Sequence, residues 1–186
     1  EFAESKKIDL KVITDLSKLE VWFDPDKIEK IMFNLISNAM KFTPQFGSIL
    51  VQIKKINSGQ IQVLDLGLRK PLSISEWIEI IIKDTGVGIS KDNLERIFDR
   101  FYQVQEHLKT AIGGTGIGLS VAKEMIKIHG GKINVESAEG VGTSFTLKIP
   151  IIYEEVFEGI TEHDLVKKSE YLKLKFPELD DEQAIT

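Results

Sequence analysis

Asp24-Pro25-Asp26-Lys27-Ile28-Glu29-Lys30-Ile31-Met32-Phe33-Asn34-Leu35-Ile36-Ser37-Asn38-Ala39-Met40-Lys41-Phe42-Thr43 carries two patterns in one stretch. Aspartate caps helices well and proline suits the first helical position, so a helix starts at Asp24-Pro25. Ile28, Ile31, Met32, Leu35, Ile36 and Ala39 recur at the spacing of one buried helical face. At ~100° per residue, Asn34, Asn38 and Lys41 fall together on another flank, away from that stripe. The helix therefore buries one side and presents two amides and an ammonium on a second. Taken alone, that flank reads equally as a polar face in water.

Around this helix the sequence alternates between strand and helix patterns without regular βαβ repetition. Residues 8–16 and 20–23 read as short strands, with Ile8, Leu10 and Val12 alternating against polar neighbours. Residues 48–54, 61–64 and 77–83 read as further strands, and 65–76, with Gly67 and Pro71, as a loop. Ser90 is placed to cap a helix running through Phe101. Another helix starts near Gly116 and runs to Ile128, closed by Gly130-Gly131. Lys132 to Ser137 and Thr143 to Pro150 form a last strand pair. The pattern predicts an α/β domain with helices stacked on one face of a mixed sheet.

Composition narrows the function. The chain has 186 residues, 42% hydrophobic and 28% charged, which suits a soluble domain with one core or a domain plus tail. Its net charge of -5 argues against a general nucleic-acid binder. Without cysteine there is no disulfide, thiolate metal site or cysteine nucleophile. No apolar run approaches the ~20 residues that span a bilayer. Residues 151–186 differ in character: acidic at Glu154-Glu155 and at Asp180-Asp181-Glu182, yet carrying Phe157, Leu165, Tyr171 and Phe176. They read as a tail or as a linker toward a following domain.

Three more segments complete a constellation: Asp84-Thr85-Gly86-Val87-Gly88-Ile89, Ile97-Phe98-Asp99-Arg100-Phe101-Tyr102 and Gly113-Gly114-Thr115-Gly116-Ile117-Gly118-Leu119-Ser120. An asparagine carbonyl is a hard oxygen ligand suited to magnesium beside a triphosphate, and Lys41 one turn on can offset phosphate charge. Asp84 ends an apolar strand where its carboxylate can accept from an exocyclic amine, with Gly86 and Gly88 permitting close backbone approach. A capped strand-to-helix turn explains the same residues. Backbone N–H groups at the helix start after Gly113 can bind phosphate, although the spacing is neither a P-loop nor a Rossmann fingerprint. A glycine hinge is the competing reading there.

Together the four segments resemble the asparagine, first glycine, phenylalanine and second glycine boxes of the catalytic ATP-binding domain of sensor histidine kinases. That domain belongs to the superfamily shared with gyrase, the heat-shock chaperone ATPase and the mismatch-repair ATPases. The resemblance covers about residues 8–150, including His129-Gly130-Gly131 and Gly140-Val141-Gly142-Thr143. It implies a two-layer α/β sandwich of the Bergerat type, with three main helices over a mixed five-stranded sheet. It also implies that Asn38 coordinates Mg2+, that Asn34 lies beside the phosphates of ATP and that Lys41 contacts them. Phe42, Ile89 and Tyr102 belong to the nucleotide pocket, and Asp84 accepts from adenine with support from Thr143 through a water. Residues 103–114 correspond to the lid, and Gly114, Thr115, Gly116, Gly118 and Leu119 to its phosphate-facing base.

The implied reaction is transfer of the γ-phosphoryl group to a histidine on a separate dimerisation and phosphoacceptor domain, itself serving a response-regulator receiver domain. Related hydrolases carry a glutamate where this chain has Asn34, and an amide is no general base, which favours transfer to a delivered nucleophile. The chain is expected to lack the acceptor histidine. His107 falls in the lid, His129 ends a helix, and His163-Asp164-Leu165 mimics an acceptor motif without its continuation. Cytoplasmic placement follows from ATP use, with no nucleic acid and no direct membrane contact. Gln103 departs from the arginine common after Phe-Tyr, so either Arg100 or a residue of another domain supplies that charge, or phosphate stabilisation is weaker. A non-catalytic docking module is the alternative, and a serine-phosphorylating regulator of the same superfamily a third.

Overall fold

Alternating β-branched residues build a five-stranded sheet in the order β1-β2-β3-β5-β4. The strands are β1 (Asp9–Thr14), β2 (Ser48–Leu64), β3 (Leu72–Asp84), β4 (Lys132–Ala138) and β5 (Gly142–Pro150). β1 runs parallel to β2 and every other pair is antiparallel, so the sheet is mixed. The helices are α1 (Pro25–Phe42), α2 (Lys91–Leu94) and α3 (Gly118–Ile128). The computed structural model describes residues 6–17, 19, 21, 23–64, 72–104 and 115–152.

One sheet face meets the helices. Register aligns Val51, Ile82 and Phe145 across three strands. These side chains pack with Ile80 and Leu147 against Ile31, Leu35 and Ala39 of α1 and Ala122, Met125 and Ile126 of α3. The stripe read from the α1 sequence is thus the stripe that is buried. On the opposite face Lys54, Glu79 and Lys148 stand in register, and Glu79 bridges both lysines at 2.9 and 3.4 Å. Burial of Glu79 disfavours its charge, but hydrogen bonds and attraction from Lys54 and Lys148 outweigh it and hold the carboxyl below its ordinary value.

α1 begins as the sequence predicts. Asp24 is the N-cap, its Oδ1 accepts from the Lys27 backbone N–H at 3.2 Å, and Pro25 opens the helix. The Asp24 backbone N–H donates to His129 Nε2 at 3.3 Å, and His129 Nδ1 lies 2.8 Å from Met125 O. Those two bonds require the proton on Nδ1. His129 therefore ties the end of α3 to the start of α1. At the other end Gly118 abuts Asn34, so the two helices run antiparallel.

Several element boundaries differ from expectation. Val21 and Phe23 are not in a strand, while Glu20 and Trp22 lie outside the described residues. β2 continues through 55–60 to Leu64, and β3 already starts at Leu72. Pairing resumes beyond a register shift between Asn57 and Gln62, making one long hairpin of the expected strand-loop-strand. Residues 65–71 lie outside the described set. Within β1, Leu10 and Val12 are exposed because the strand is a sheet edge, and Ile8 just before it is buried. The helix expected from Ser90 to Phe101 stops at Leu94. Phe98 sits edge-on to Phe145 at 6.4 Å, and Phe101 turns to φ 65° with its N–H on Gly116 O at 2.9 Å. A continued helix would leave Gly116 unbound. α3 likewise starts at Gly118, two residues later than read.

Glu79→Gln is expected to lower stability by about 1 kcal/mol at neutral pH, modest because both lysines are partly exposed. A carboxyl held below its unfolded value stabilises above that value and loses the contribution as pH falls through the folded one. Urea melts of wild type and variant should therefore converge in acid. A gap that persists there would show that packing, not charge, is what the variant lost.

Candidate functional site

α1, the loop after β3 and the start of α3 enclose a cleft of about 640 Å³. Its two ends have different chemistry, and each follows from a local feature of the backbone.

The first end is acidic and deep. Asp84 is the last residue of β3 and is 5% exposed. Its Oδ1 accepts the N–H of Gly86 at 2.8 Å and of Thr143 at 3.2 Å. No hydrogen bond engages Oδ2 among the described residues, leaving one acceptor facing the cleft. Burial raises the carboxyl above its ordinary value, opposed by the two N–H donors. Gly86 is required by space: a Cβ there would lie 2.7 Å from Asp84 Oδ1 and 2.8 Å from Phe42 O. Thr143 thus holds Asp84 through its main-chain N–H, and it also carries a hydroxyl. That hydroxyl meets Ser137 Oγ at 2.9 Å. Ser137 gives its proton to Gly142 O and accepts from Ile89 N–H, so Thr143 is the donor between the hydroxyls.

The second end is amide-rich. Asn34 and Asn38 line it from α1, with Lys41 one turn on. Asn34 Nδ2 donates to Lys30 O at 2.9 Å, which leaves its carbonyl toward Gly118. A Cβ on Gly118 would stand 2.6 Å from Asn34 Oδ1, so glycine lets the N-terminus of α3 reach the amides. Backbone N–H groups of Gly118 and its neighbours thus gather beside Asn34, where anions are favoured. The Asn38 side chain makes no hydrogen bond among the described residues. Burial holds the Lys41 ammonium below its ordinary value, and it lies 5.1 Å over the Phe42 ring.

Of the residues read from sequence, Phe42, Gly88, Ile89 and Tyr102 line the cleft, as do Thr115, Gly116, Gly118, Leu119 and Thr143. Gly86 stands behind Asp84 instead of lining it. Gly114 lies outside the described residues, as do His107, His163 and lid residues 105–114. Gln103 lines the cleft, and among the described lining residues Lys41 is the one lysine or arginine.

Asn93, Arg96 and Ser137 are among the contributors not read from sequence. Tyr102 donates its hydroxyl to Asn93 Oδ1 at 2.6 Å, while Asn93 Nδ2 donates to Ser90 Oγ at 2.8 Å. Arg96 covers the Tyr102 ring at 4.3 Å. Ser90 is consequently a partner of Asn93 and makes no side-chain cap to α2. A helical reading of 90–101 put Asn93 and Tyr102 too far apart to suggest this contact. Ser137, beneath Ile89 and Thr143, had no local signal at all.

A cleft with a buried carboxylate at one end and paired amides beside a helix N-terminus at the other suits a nucleotide, in an α/β sandwich without a P-loop. Residues 23–152 match the family described as histidine kinase-, DNA gyrase B- and HSP90-like ATPases, and the chain belongs to that family. It is 39% identical over 137 residues to sensor histidine kinase WalK of Bacillus subtilis, covering 74% of this chain and 20% of WalK. Hybrid signal transduction histidine kinase D of Dictyostelium discoideum is 36% identical over 149 residues, 80% of this chain and 9% of that protein. The chain thus spans about a fifth or less of these two relatives. Among solved structures, the nucleotide-free catalytic domain of histidine kinase ThkA aligns with TM-score 0.61 and 26% identity, over 80% of this chain and 82% of that one. Full-length ShkA in complex with AMPPNP aligns with TM-score 0.59 and 25% identity, over 81% and 27%.

Protonating Asp84 converts its free acceptor to a donor. Should Asp84 hold the base amine of an adenine nucleotide, affinity would fall as pH drops through a value raised above the ordinary aspartate one. In Asp84→Asn the amide oxygen satisfies Gly86 and Thr143, turning an NH2 toward the base amine. Calorimetry should show affinity reduced by about 10- to 100-fold, with the acid-side pH step gone. The sign for stability is opposite: a raised folded carboxyl destabilises as pH rises through it, so the empty Asp84→Asn protein should melt no lower than wild type at neutral pH.

Proposed function

We propose that this chain binds Mg·ATP and donates the γ-phosphoryl group to a histidine on a separate dimerisation and phosphoacceptor domain, in two-component signalling. Residues 1–150 form the catalytic ATP-binding domain, and 151–186 a tail or linker toward a following domain. The receiver of a response regulator is the downstream partner, and the setting is cytoplasmic. No described helix is long and apolar enough to cross a membrane.

The observation that carries this reading is the arrangement of carboxylates. Those lining the cleft are Asp84 and Glu139, and Glu139 adjoins Gly88, at the base end. Beside the α3 N-terminus stands Asn34, an amide, so no described residue there can take a proton from water. The described residues can hold and orient a triphosphate, and none of those beside the α3 N-terminus is a carboxylate placed to activate a nucleophile.

The roles follow from the chemistry of each group. Asp84 Oδ2 accepts the adenine amine, and Ile89, Phe42 and Tyr102 wall the base. Asn34 and the α3 N–H groups face the phosphates, with Lys41 neutralising charge as the leaving group develops it. Among the described residues no cluster of three acidic, histidine or cysteine side chains is present to cage a metal. That fits magnesium, which takes one or two protein oxygens and completes its shell with phosphate and water. The unengaged Asn38 amide is the oxygen this chain offers it. When bound, magnesium supplies charge neutralisation at the phosphates. The chain's contribution to rate is positioning and electrostatics.

Titration with a non-hydrolysable ATP analogue should show binding that magnesium strengthens, and in Asn38→Ala the magnesium dependence should vanish while magnesium-free binding survives. Purified protein should release phosphate negligibly in steady state yet phosphorylate an added cognate acceptor domain on histidine, giving acid-labile phosphate. Sustained phosphate release would overturn the assignment. Gln103 in the cleft favours a second reading, a nucleotide-binding docking module, which predicts binding without transfer to the acceptor.

A further inference from the structure

The segment ahead of β1 grips the nucleotide cleft from behind. Lys6 Nζ lies 3.1 Å from Met40 O, 2.9 Å from Lys41 O and 3.1 Å from Thr43 O. An ammonium has three donors, and the last turn of a helix has carbonyls with no partner and the negative pole of the helix dipole. The fit is complete: three donors meet three carbonyls around the end of α1. The main chain reinforces it, since Phe46 N–H donates to Lys6 O at 3.1 Å and Asp9 N–H to Gly47 O at 2.9 Å.

The one carbonyl of this turn that Lys6 does not take is that of Phe42. It accepts Val87 N–H at 3.3 Å, and Gly86 lies against it too closely for any side chain. Gly86 in turn donates to Asp84 Oδ1. A continuous path of polar contacts therefore leads from Lys6 through the end of α1 to the carboxylate that faces the base. Lys41 and Phe42, whose backbone Lys6 brackets, also present their side chains to the cleft.

We propose that Lys6 is a positioning residue for the nucleotide site, setting the end of α1 against the Gly86–Val87 loop so that base affinity depends on how the segment before β1 is seated. The inference rests on the nucleotide reading above for the identity of the ligand. A C-terminal helix cap alone would affect stability but leave the loop and the ligand untouched.

The test compares Lys6→Met, which keeps the aliphatic stem and removes all donors, with Lys6→Arg and with Lys11→Met on the neighbouring strand. Binding of a non-hydrolysable ATP analogue is measured by calorimetry, and amide exchange of Gly86 and Val87 by NMR. Lys6→Met should weaken binding about fivefold and speed exchange at Val87, Lys6→Arg should recover most of the affinity, and Lys11→Met should match wild type. Wild-type affinity and unchanged Val87 exchange in folded Lys6→Met would overturn the proposal. Should that variant not fold, the Lys6 ammonium signal of wild type decides: it should shift on analogue binding, and a static signal refutes the coupling. Failure of wild type itself to bind would instead reject the nucleotide assignment.

Discussion

A carboxylate buried at the end of β3 constrains everything around Asp84. Desolvation favours its neutral form, so the fold sets two backbone N–H groups against one oxygen and leaves the other open. Those donors come from the glycine loop that follows β3 and from the start of β5. Both must approach closely, which explains Gly86, and Ser137 accepts from the Thr143 hydroxyl and the Ile89 N–H beside them. The loop in turn is seated on the Phe42 carbonyl at the end of α1. The base end of the cleft is thus a property of three separated segments held in register by the sheet.

The phosphate end depends on two antiparallel helices in contact. His129 ties the end of α3 to the start of α1, and Gly118 fits the start of α3 against Asn34. Packing of the apolar stripes supplies the energy, while the glycine contact sets the distance. A helix N-terminus and two amides on the neighbouring helix then face the same space. The residue at position 34 is an amide, so the α1 flank beside the α3 N-terminus offers a carbonyl oxygen and no carboxylate.

Seen this way, binding and regulation share one piece of backbone. The final turn of α1 offers side chains to the ligand, one carbonyl to the glycine loop and three to Lys6. Movement on one side of this turn is felt on the others because no slack separates them.

The apolar stripe and polar flank of α1, its Asp24-Pro25 start, the Gly130-Gly131 stop and the strands around Asp84 were all legible in sequence. Each is a local matter of periodicity or capping; the stripe and start stand in the structure as read, and the strands stand with β2 and β3 longer than read. So was the gathering of Asn34, Asn38 and Lys41 on one flank, because helical geometry alone imposes it. Tertiary contacts decided the rest. The stretch after Ser90 abandons helix at Leu94 because Phe98 enters the core and Phe101 must bind Gly116. The β2–β3 hairpin runs on through residues that read as loop because pairing across strands outweighs weak local preference. Asn93 reaches Tyr102, Ser137 reaches Thr143 and Lys6 reaches α1 across nine, six and more than thirty residues. No local pattern encodes such pairs, since their partners are chosen by the packing of the whole sheet and not by the spacing of neighbours along the chain.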